Sequence, residues 1–329
     1  MDIDELLAPK VLIVSGKGGV GKTTVAAALA LVAARRGRRV CIAEVDQKGS
    51  LPNLFGGSDL TYVPKEMLPG IYGMNIVPDE ALAEYLDVQY HMKRIARIFS
   101  SSHFVDYITA SAPGLKDILV LGKVWYLEQG RAKGGVQFDT IIVDAPAAGH
   151  MLQFLSAPSG LSEAVRVGPV QRQAEWLRQM LSDPKRTRVH LVALPEEMPV
   201  SETIETSQAL AERVKVQHGA VFANAVYPPL LTDGECDELD AVMSDGDPDE
   251  LRAAAETVGL KLDREDLDAL VGYAHFLRAR RGIQAKHLRA LRKGVDQPVV
   301  ELPFVFSSDL SLPALEGLAD AIEEGVARS

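Results

Sequence analysis

The sequence predicts an α/β fold in which a mostly parallel sheet is flanked by helices on both faces. Short, continuously apolar runs recur along the 329-residue chain, and helix-compatible segments separate most of them. A glycine-rich turn links the first run to the first helix. Such runs are typical of parallel strands that are covered on both faces, so we expect one open sheet between two helical layers.

The first strand is predicted over 10–14, and the first helix over 23–36, where Ala and Leu dominate. A second strand is predicted over 39–44. The remaining predicted strands share the same short apolar character and cover 74–77, 140–143, 189–194, 220–223 and 299–302. At about 150 residues per domain the length allows two domains or one large one, and we predict a single domain over 1–329.

Two segments between predicted strands, 79–130 and 156–186, do not fit the sheet and predict an inserted helical subdomain. The second contains one predicted helix over 162–181. In the first, apolar side chains recur at helical spacing: Leu82, Tyr85, Leu86, Met92, Ile95 and Phe99. This stripe is a candidate groove for an apolar client, although such stripes more often belong to a core.

A further helical segment is predicted at 230–295, before the last strand. It contains an acidic stretch at 232–250 and a basic stretch at 275–293. A basic helix is a possible nucleic-acid or lipid contact. An exposed helix face, or pairing with the acidic stretch, is the simpler interpretation.

Composition narrows the classes of function. The net charge of −10 argues against general affinity for nucleic acids or anionic membranes. The two cysteines, Cys41 and Cys236, are far apart, which predicts neither a disulfide framework nor a zinc site. The N-terminus is acidic, and the longest apolar run, 25–34, is ten residues, too short to span a bilayer. We predict a cytoplasmic protein with no nucleic-acid partner and no stable membrane insertion.

Residues 16–24 fit the phosphate-loop pattern G-x-x-x-x-G-K-T, between a predicted strand and a predicted helix. Glycines let backbone N–H groups converge on phosphate oxygens, and the helix N-terminus adds partial positive charge. Lys22 is predicted to bind the β and γ phosphates, and the Thr23 hydroxyl to ligate Mg²⁺. The motif predicts a P-loop NTPase whose ATP-binding residues are Gly16, Lys17, Gly18, Gly19, Val20, Gly21, Lys22, Thr23 and Thr24.

A second lysine, Lys17, is not required in an ordinary phosphate loop. So early in the loop, its ammonium group need not face its own nucleotide and can act across a dimer interface, as an arginine finger does. This deviant loop resembles that of the dimeric ATPases related to MinD, ParA, the nitrogenase iron protein and the arsenite-pump ATPase. We therefore predict that Lys17 and Lys22 are both catalytic.

Two carboxylates follow predicted strands. Asp46 ends the second strand, and Asp144 ends the run at 140–143, as in a Walker-B segment. Ligands bind at the carboxyl ends of strands in open α/β sheets, so both are expected near the nucleotide. The predicted Mg²⁺ ligands, partly through water, are Thr23, Asp46 and Asp144. The alternative for each aspartate is a loop or helix cap.

The combined motifs resemble the family of arsenite-pump ATPases and tail-anchored-protein-targeting ATPases, over most of the chain from Lys17 to about Leu302. Besides the loop, the matching features are Ala112-Pro113-Gly114 with Asp117, switch II at 144–150, Pro195-Glu196 with Glu202-Thr203, Asn224, and the helix over 280–291 with Arg281, Gln284 and Leu288. The resemblance implies that Asp46 orients the attacking water and that Asp144 holds the Mg²⁺ shell. It also implies that Glu196 contacts nucleotide across the dimer and that Asn224 reads the adenine.

Departures from the family pattern limit which of the family's properties can be expected of this chain. Gln47 and Lys48 follow Asp46 where the family has Pro and Ala, and Ala148 replaces the switch II threonine. The family cysteines that bind arsenite or bridge a dimer through zinc are absent, which disfavours arsenite transport and a zinc-stapled dimer. One phosphate loop is present rather than the tandem typical of the pumps. A dimer is therefore expected, with itself or with a similar chain.

These observations predict an ATPase that uses ATP, ADP and Mg²⁺, without zinc, as a dimeric switch. A targeting or chaperone role is favoured, with an unknown protein or apolar client held in the helical subdomain. The alternative is a ParA- or MinD-like partitioning or positioning ATPase, which needs a basic surface or a membrane anchor. The predicted C-terminal helix over 315–328 contains Glu323-Glu324 and is a poor anchor. Metallocofactor maturation needs paired cysteines, which are absent.

Overall fold

The computed structural model describes residues 1–45, 49–57, 59–90, 114–131, 135–165, 167–244, 248–307 and 309–328. Within these ranges eight strands form one sheet. They are β1 (Val11–Gly16), β2 (Val40–Glu44), β3 (Lys65–Leu68), β4 (Ile71–Asn75), β5 (Thr140–Ala147), β6 (Thr187–Ala193), β7 (His218–Val226) and β8 (Val299–Pro303). Their order across the sheet is β3-β4-β2-β5-β1-β6-β7-β8, and only β3 runs antiparallel to its neighbour.

Twelve α-helices lie in the same described ranges, and a short π-helix, Leu210–Val214, directly follows the eighth of them. They are α1 (Ile3–Leu7), α2 (Lys22–Arg35), α3 (Ser50–Phe55), α4 (Pro78–Tyr90), α5 (Leu115–Glu128), α6 (Ala148–Ala164), α7 (Pro169–Ser182), α8 (Glu197–Ala209), α9 (Asp233–Ser244), α10 (Pro248–Thr257), α11 (Arg264–Gly294) and α12 (Leu312–Arg328). The α/β class and the mostly parallel sheet predicted from the sequence are confirmed.

The sheet separates two apolar cores because successive side chains of each strand point to opposite faces. In β1, Val11 and Ile13 join the core under α5 to α8, whereas Leu12 and Val14 join the core under α2 and α12. Burial on both faces explains why these strands are continuously apolar in the sequence.

The edge of the sheet differs from the prediction. β3 was not predicted because its residues, Lys65–Leu68, are polar or only partly buried and show no apolar run. β4 begins at Ile71, earlier than the predicted 74–77. Gly73, which breaks the apolar run in the sequence, lies inside this strand. A Cβ there would lie 2.7 Å from the Met67 sulfur, so glycine allows β3 to pack closely.

The predicted helix over 162–181 is wrong in its bounds. The structure has two helices there, α6 and α7, separated at Gly168, whose φ of 103° lies in the left-handed region. Pro169 then begins α7, as proline suits the first turn of a helix. The described parts of the other segment, 79–130, contain α4 and α5. Met92, Ile95 and Phe99 lie outside the described residues.

The acidic and basic stretches of 230–295 pair with each other. From α11, Arg278 lies 2.7 Å from Asp237 and 3.3 Å from Asp233 of α9, and His275 lies 2.7 Å from Asp240. These contacts use part of the basic face of α11 within the chain, in agreement with the simpler interpretation. No helix in the described ranges has the length and apolar character needed to cross a membrane.

Two buried histidines, His190 and His218, are expected to make the folded state less stable in acid. The Nδ1 of His190 accepts the Ala220 N–H at 3.1 Å, and the Nδ1 of His218 lies 2.9 Å from the Ser207 hydroxyl. Burial lowers the pKa of His190 to about 3 and that of His218 to about 4. The unfolded chain, with histidine pKa values of about 6.5, therefore binds protons first as the pH falls, and folding is disfavoured.

We expect the free energy of unfolding to fall by a few kcal/mol between about pH 6.5 and pH 4. Urea titrations at a series of pH values measure this slope. The double variant His190→Gln/His218→Gln removes both groups and is expected to flatten part of it. Equal slopes in the variant and the wild type would assign the acid sensitivity to other groups.

Candidate nucleotide-binding site

The glycine-rich loop lies between the end of β1 and the start of α2, close to the backbone of β6 and to the Asn224 side chain of β7. A Cβ on Gly16 would lie 2.1 Å from the Val192 carbonyl oxygen. Gly21 has a φ of 91°, and its Cβ would lie 2.3 Å from the Asn224 Nδ2. Both positions therefore require glycine, one through close approach and the other through close approach and a left-handed backbone.

Lys22 is the first residue of α2 and is 5% exposed. Its Nζ donates to the Lys17 carbonyl oxygen at 3.2 Å. The ammonium group is therefore folded back over the loop and close to the helix N-terminus. A buried cation beside a helix N-terminus is a strong site for a phosphate group.

The structure brings Thr23 and Asp144 together. The Thr23 hydroxyl donates to the Asp144 Oδ2 at 2.5 Å, and Asp144 is 4% exposed. Asp144 lies inside β5, opposite Val14 of β1 and Glu44 of β2, rather than after the strand end as the predicted bounds of 140–143 placed it. The strand is longer than predicted because Asp144 and Pro146 interrupt the apolar run but do not end the strand. Its pairing with β1 continues to Ala147 after a register shift between Val14 and Gly16.

A hydroxyl and a carboxylate fit Mg²⁺, which prefers oxygen ligands and keeps several waters when it binds a nucleotide. In the described ranges no three His, Cys, Asp or Glu side chains form a metal-binding group. The third predicted ligand, Asp46, lies outside the described residues, together with Gln47 and Lys48.

Glu44 was not singled out from the sequence, although it flanks the segment that carries Asp46. It ends β2, is 2% exposed, and its Oε1 accepts the Leu51 N–H at 3.1 Å. This bond ties the start of α3 to the end of β2. An acidic residue that ends an apolar run was the available signal, but its burial depends on the tertiary structure.

Two further contacts join switch II to its surroundings. The Ser15 hydroxyl of β1 donates to the Pro146 carbonyl oxygen at 2.7 Å. The His150 Nε2, in the first turn of α6, lies 3.4 Å from the Asp117 Oδ1 of α5. Burial raises the pKa of Asp117, and His150 opposes that shift. A chain of contacts therefore leads from the loop strand through switch II to the helices beside it.

Lys17 is bound within its own chain. Its Nζ lies 2.8 Å from the Glu202 Oε2 of α8, and the two side chains are 33% and 37% exposed. Action on a partner's nucleotide would therefore require Lys17 to leave Glu202. Because both groups are partly exposed, water screens the pair and the cost of separating them is small.

The two remaining predicted residues lie at the same end of the sheet. Glu196 is exposed and precedes α8 as its N-cap. The Asn224 Nδ2, at the end of β7, donates to the Val20 carbonyl oxygen at 2.9 Å, so this side chain touches the loop backbone. Contact of Glu196 with nucleotide across a dimer, and recognition of adenine by Asn224, stay predictions.

The sequence matches a known family over most of its length. The sequence model described as anion-transporting ATPase matches residues 9–173 and 167–246, which contain the loop, switch II and Asn224.

Individual relatives cover much of the chain. It is similar to the ATPase BagA of Mycobacterium tuberculosis, with 34% identity over 95% of this chain and 93% of that protein. It is also similar to the ATPase GET3 of Podospora anserina, with 25% identity over 68% of this chain and 75% of that protein. An arsenical pump-driving ATPase of Acidiphilium multivorum is 28% identical over 67% of this chain and 40% of that protein.

Proposed function

Because this chain belongs to the anion-transporting ATPase family, and is therefore an ATPase, we propose that it is a dimeric, nucleotide-controlled switch for an apolar protein client. The observation that carries the proposal is the chain of contacts from the loop to the helices. Thr23 meets Asp144 at one end of switch II, and His150 meets Asp117 of α5 at the other. A change in the nucleotide at Thr23 would be transmitted to the helical insertion.

In this proposal the loop residues bind the phosphates of ATP, and Mg²⁺ binds at Thr23, Asp46 and Asp144. Lys22 balances the charge on the β and γ phosphates, and Asp46 orients the attacking water. Lys17 of the partner subunit stabilises the charge that moves onto the bridging and γ oxygens in the transition state. The partner is a second copy or a similar chain.

A client is a better cargo than a metalloid, although one relative is named an arsenical pump-driving ATPase. Soft metalloids need clustered thiolates. Cys41 lies in β2 and Cys236 in α9, both are buried, and burial raises the pKa of Cys41 to about 12. These thiols are separated along the fold, and Cys41 stays protonated at neutral pH. They do not form an arsenite site within one chain.

Asp46→Asn tests the assignment of switch I. The amide preserves size but removes the negative charge that orients water, so we expect ATP binding to persist and turnover to fall on the order of 10²-fold or more. Calorimetry with ATP and a phosphate-release assay measure the two effects separately. Turnover at the wild-type rate would make Asp46 a structural cap.

The same variant, held in its ATP-bound form, tests the switch. We expect light scattering to show a dimer with ATP, and fluorescence anisotropy to show binding of a labelled, leucine-rich helical peptide. With ADP in place of ATP, affinity for the peptide is expected to drop at least 10-fold. A charged helical peptide of equal length is the control. Equal affinity for the apolar peptide with ATP, with ADP and without nucleotide would contradict the proposal.

A further inference from the structure

A cavity of about 230 Å³ lies among α4, α5, α6 and α7, and no residue of the phosphate loop is among the described residues that line it. Its walls are mainly apolar and aromatic side chains, and the aliphatic ones include Leu82, Leu115, Ile118, Leu119, Leu161 and Leu177. Gly122 of α5 also lines it, and a Cβ at this glycine would meet no atom within 4 Å. The space beside Gly122 is therefore open.

The floor of the cavity is polar but internally neutralised. The Lys123 Nζ lies 2.7 Å from the Glu84 Oε2 and 4.1 Å from the centre of the Tyr62 ring. The Tyr62 hydroxyl donates to the same Glu84 oxygen at 2.6 Å. A buried ion pair with these additional contacts has its charges compensated by the protein. Because these charges are already paired within the protein, the floor does not favour a charged group on a ligand.

The rim of the cavity is aromatic and positively charged. Trp125 of α5 and Trp176 of α7 stack with their ring centres 5.2 Å apart and their planes at 8°. The Arg131 guanidinium lies 5.5 Å from the Trp125 ring, and Arg131 is exposed. Among the described lining residues the one carboxylate is Glu84, which is engaged with Lys123. Arg131, which also hydrogen-bonds the Tyr126 side chain, therefore gives the rim a positive charge with no carboxylate partner among the described lining residues.

Size decides the class of occupant. An apolar cavity of about 150 Å³ in another protein takes up benzene, so 230 Å³ suits a body somewhat larger than one ring. A polypeptide helix is about 10–12 Å in diameter and does not fit inside such a volume. The volume therefore favours a small molecule over a helix.

We propose that this cavity binds a small aromatic carboxylate, with a body of about two fused rings among the leucines and the tryptophan pair. Its carboxylate would meet Arg131 at the rim. A planar guanidinium can donate two parallel hydrogen bonds to a carboxylate, and a single cation matches a monoanion. The proposal goes beyond the nucleotide switch and requires neither nucleotide nor a dimer.

Calorimetry with 2-naphthoate tests this site in the full chain without nucleotide. We expect a dissociation constant on the order of 100 μM, as suits a ligand of this size. The neutral isostere 2-naphthamide is the matched ligand, and it is expected to bind more weakly. Fluorescence of Trp125 and Trp176 provides a second readout at the rim.

Two variants locate the site. Gly122→Leu fills the open space beside α5 and is expected to abolish binding of both ligands. Arg131 is exposed, so Arg131→Gln is expected to leave the folding of the chain unchanged. It is expected to weaken 2-naphthoate about 10-fold and leave 2-naphthamide unchanged, because only the anion uses the charge. Thermal melting and ADP affinity, both expected at wild-type values, verify that each variant is folded.

The proposal is overturned if the wild type does not bind 2-naphthoate, or if a folded Gly122→Leu variant still binds it. It is also overturned if Arg131→Gln weakens both ligands equally or weakens neither. Since none of these measurements uses ATP turnover or a client, failure here leaves the switch proposal to its own tests.

Discussion

Lys22→Ala is expected to lower affinity for ADP and ATP on the order of 10²- to 10³-fold, so that binding disappears from ordinary calorimetry. Charge-assisted hydrogen bonds contribute roughly 1.5–3 kcal/mol each, and one ammonium group is placed to serve more than one phosphate oxygen. The position supports this, since Lys22 is 5% exposed and its Nζ lies against the Lys17 carbonyl oxygen. No other side chain in the loop carries a charge buried in this way.

The matched control is Lys185→Ala, which removes an equal charge from an exposed position between α7 and β6. It is expected to leave ADP affinity unchanged. Thermal melting without nucleotide shows whether weaker binding reflects loss of the phosphate contact or loss of the folded structure. A folded Lys22→Ala variant with wild-type ADP affinity would refute the assignment of the phosphate site.

The second large effect is expected from Lys17→Ala, which should leave ADP affinity nearly intact and lower kcat on the order of 10²-fold or more. The charge of Lys17 acts in the transition state if it reaches the partner's phosphates, as an arginine finger does. In the single chain Lys17 lies 2.8 Å from Glu202, away from that role, so the ground-state nucleotide is expected to lose little. Lys17→Arg keeps the charge and is expected to recover part of the rate.

Mixed dimers separate the two lysines. A Lys17→Ala subunit is expected to impair the site of a wild-type partner, whereas a Lys22→Ala subunit is expected to impair its own site. Steady-state turnover across a series of mixing ratios reports which site fails. If Lys17→Ala acts only on its own chain, the lysine does not cross an interface and the chain works as an ordinary phosphate-loop NTPase.

Much of the fold follows from local sequence, because strands buried on both faces must be apolar and the phosphate loop requires its glycines. The meeting of Thr23 with Asp144 also follows, since neighbouring parallel strands end at the same edge of the sheet. The edge strand β3 has no such signature, because only its pairing with β4 makes it a strand.

Contacts between segments that are distant along the chain could not be predicted from the sequence. The engagement of Lys17 by Glu202 depends on how α8 lies against the loop. The burial of Glu44 depends on the helix that follows it. The rim of the cavity depends on the packing of α5 against α7, which stacks Trp125 on Trp176, and neither tryptophan stands out in the sequence. Such features need the packed structure.

The bond from Asn224 to the Val20 carbonyl oxygen also affects the thermodynamics and rate of nucleotide capture. Ordering one backbone residue costs about 1–2 kcal/mol of conformational entropy. The Asn224 side-chain amide holds the Val20 backbone and also lies against Gly21. The conformational entropy of ordering the loop is therefore lost when the chain folds, not when the nucleotide binds. We therefore expect nucleotide to bind to a preorganised loop, at a rate limited by diffusion and charge rather than by loop closure. A substitution that removes the hydrogen bond from Asn224 to Val20 is therefore expected to slow nucleotide binding, although the phosphate-binding groups are unchanged.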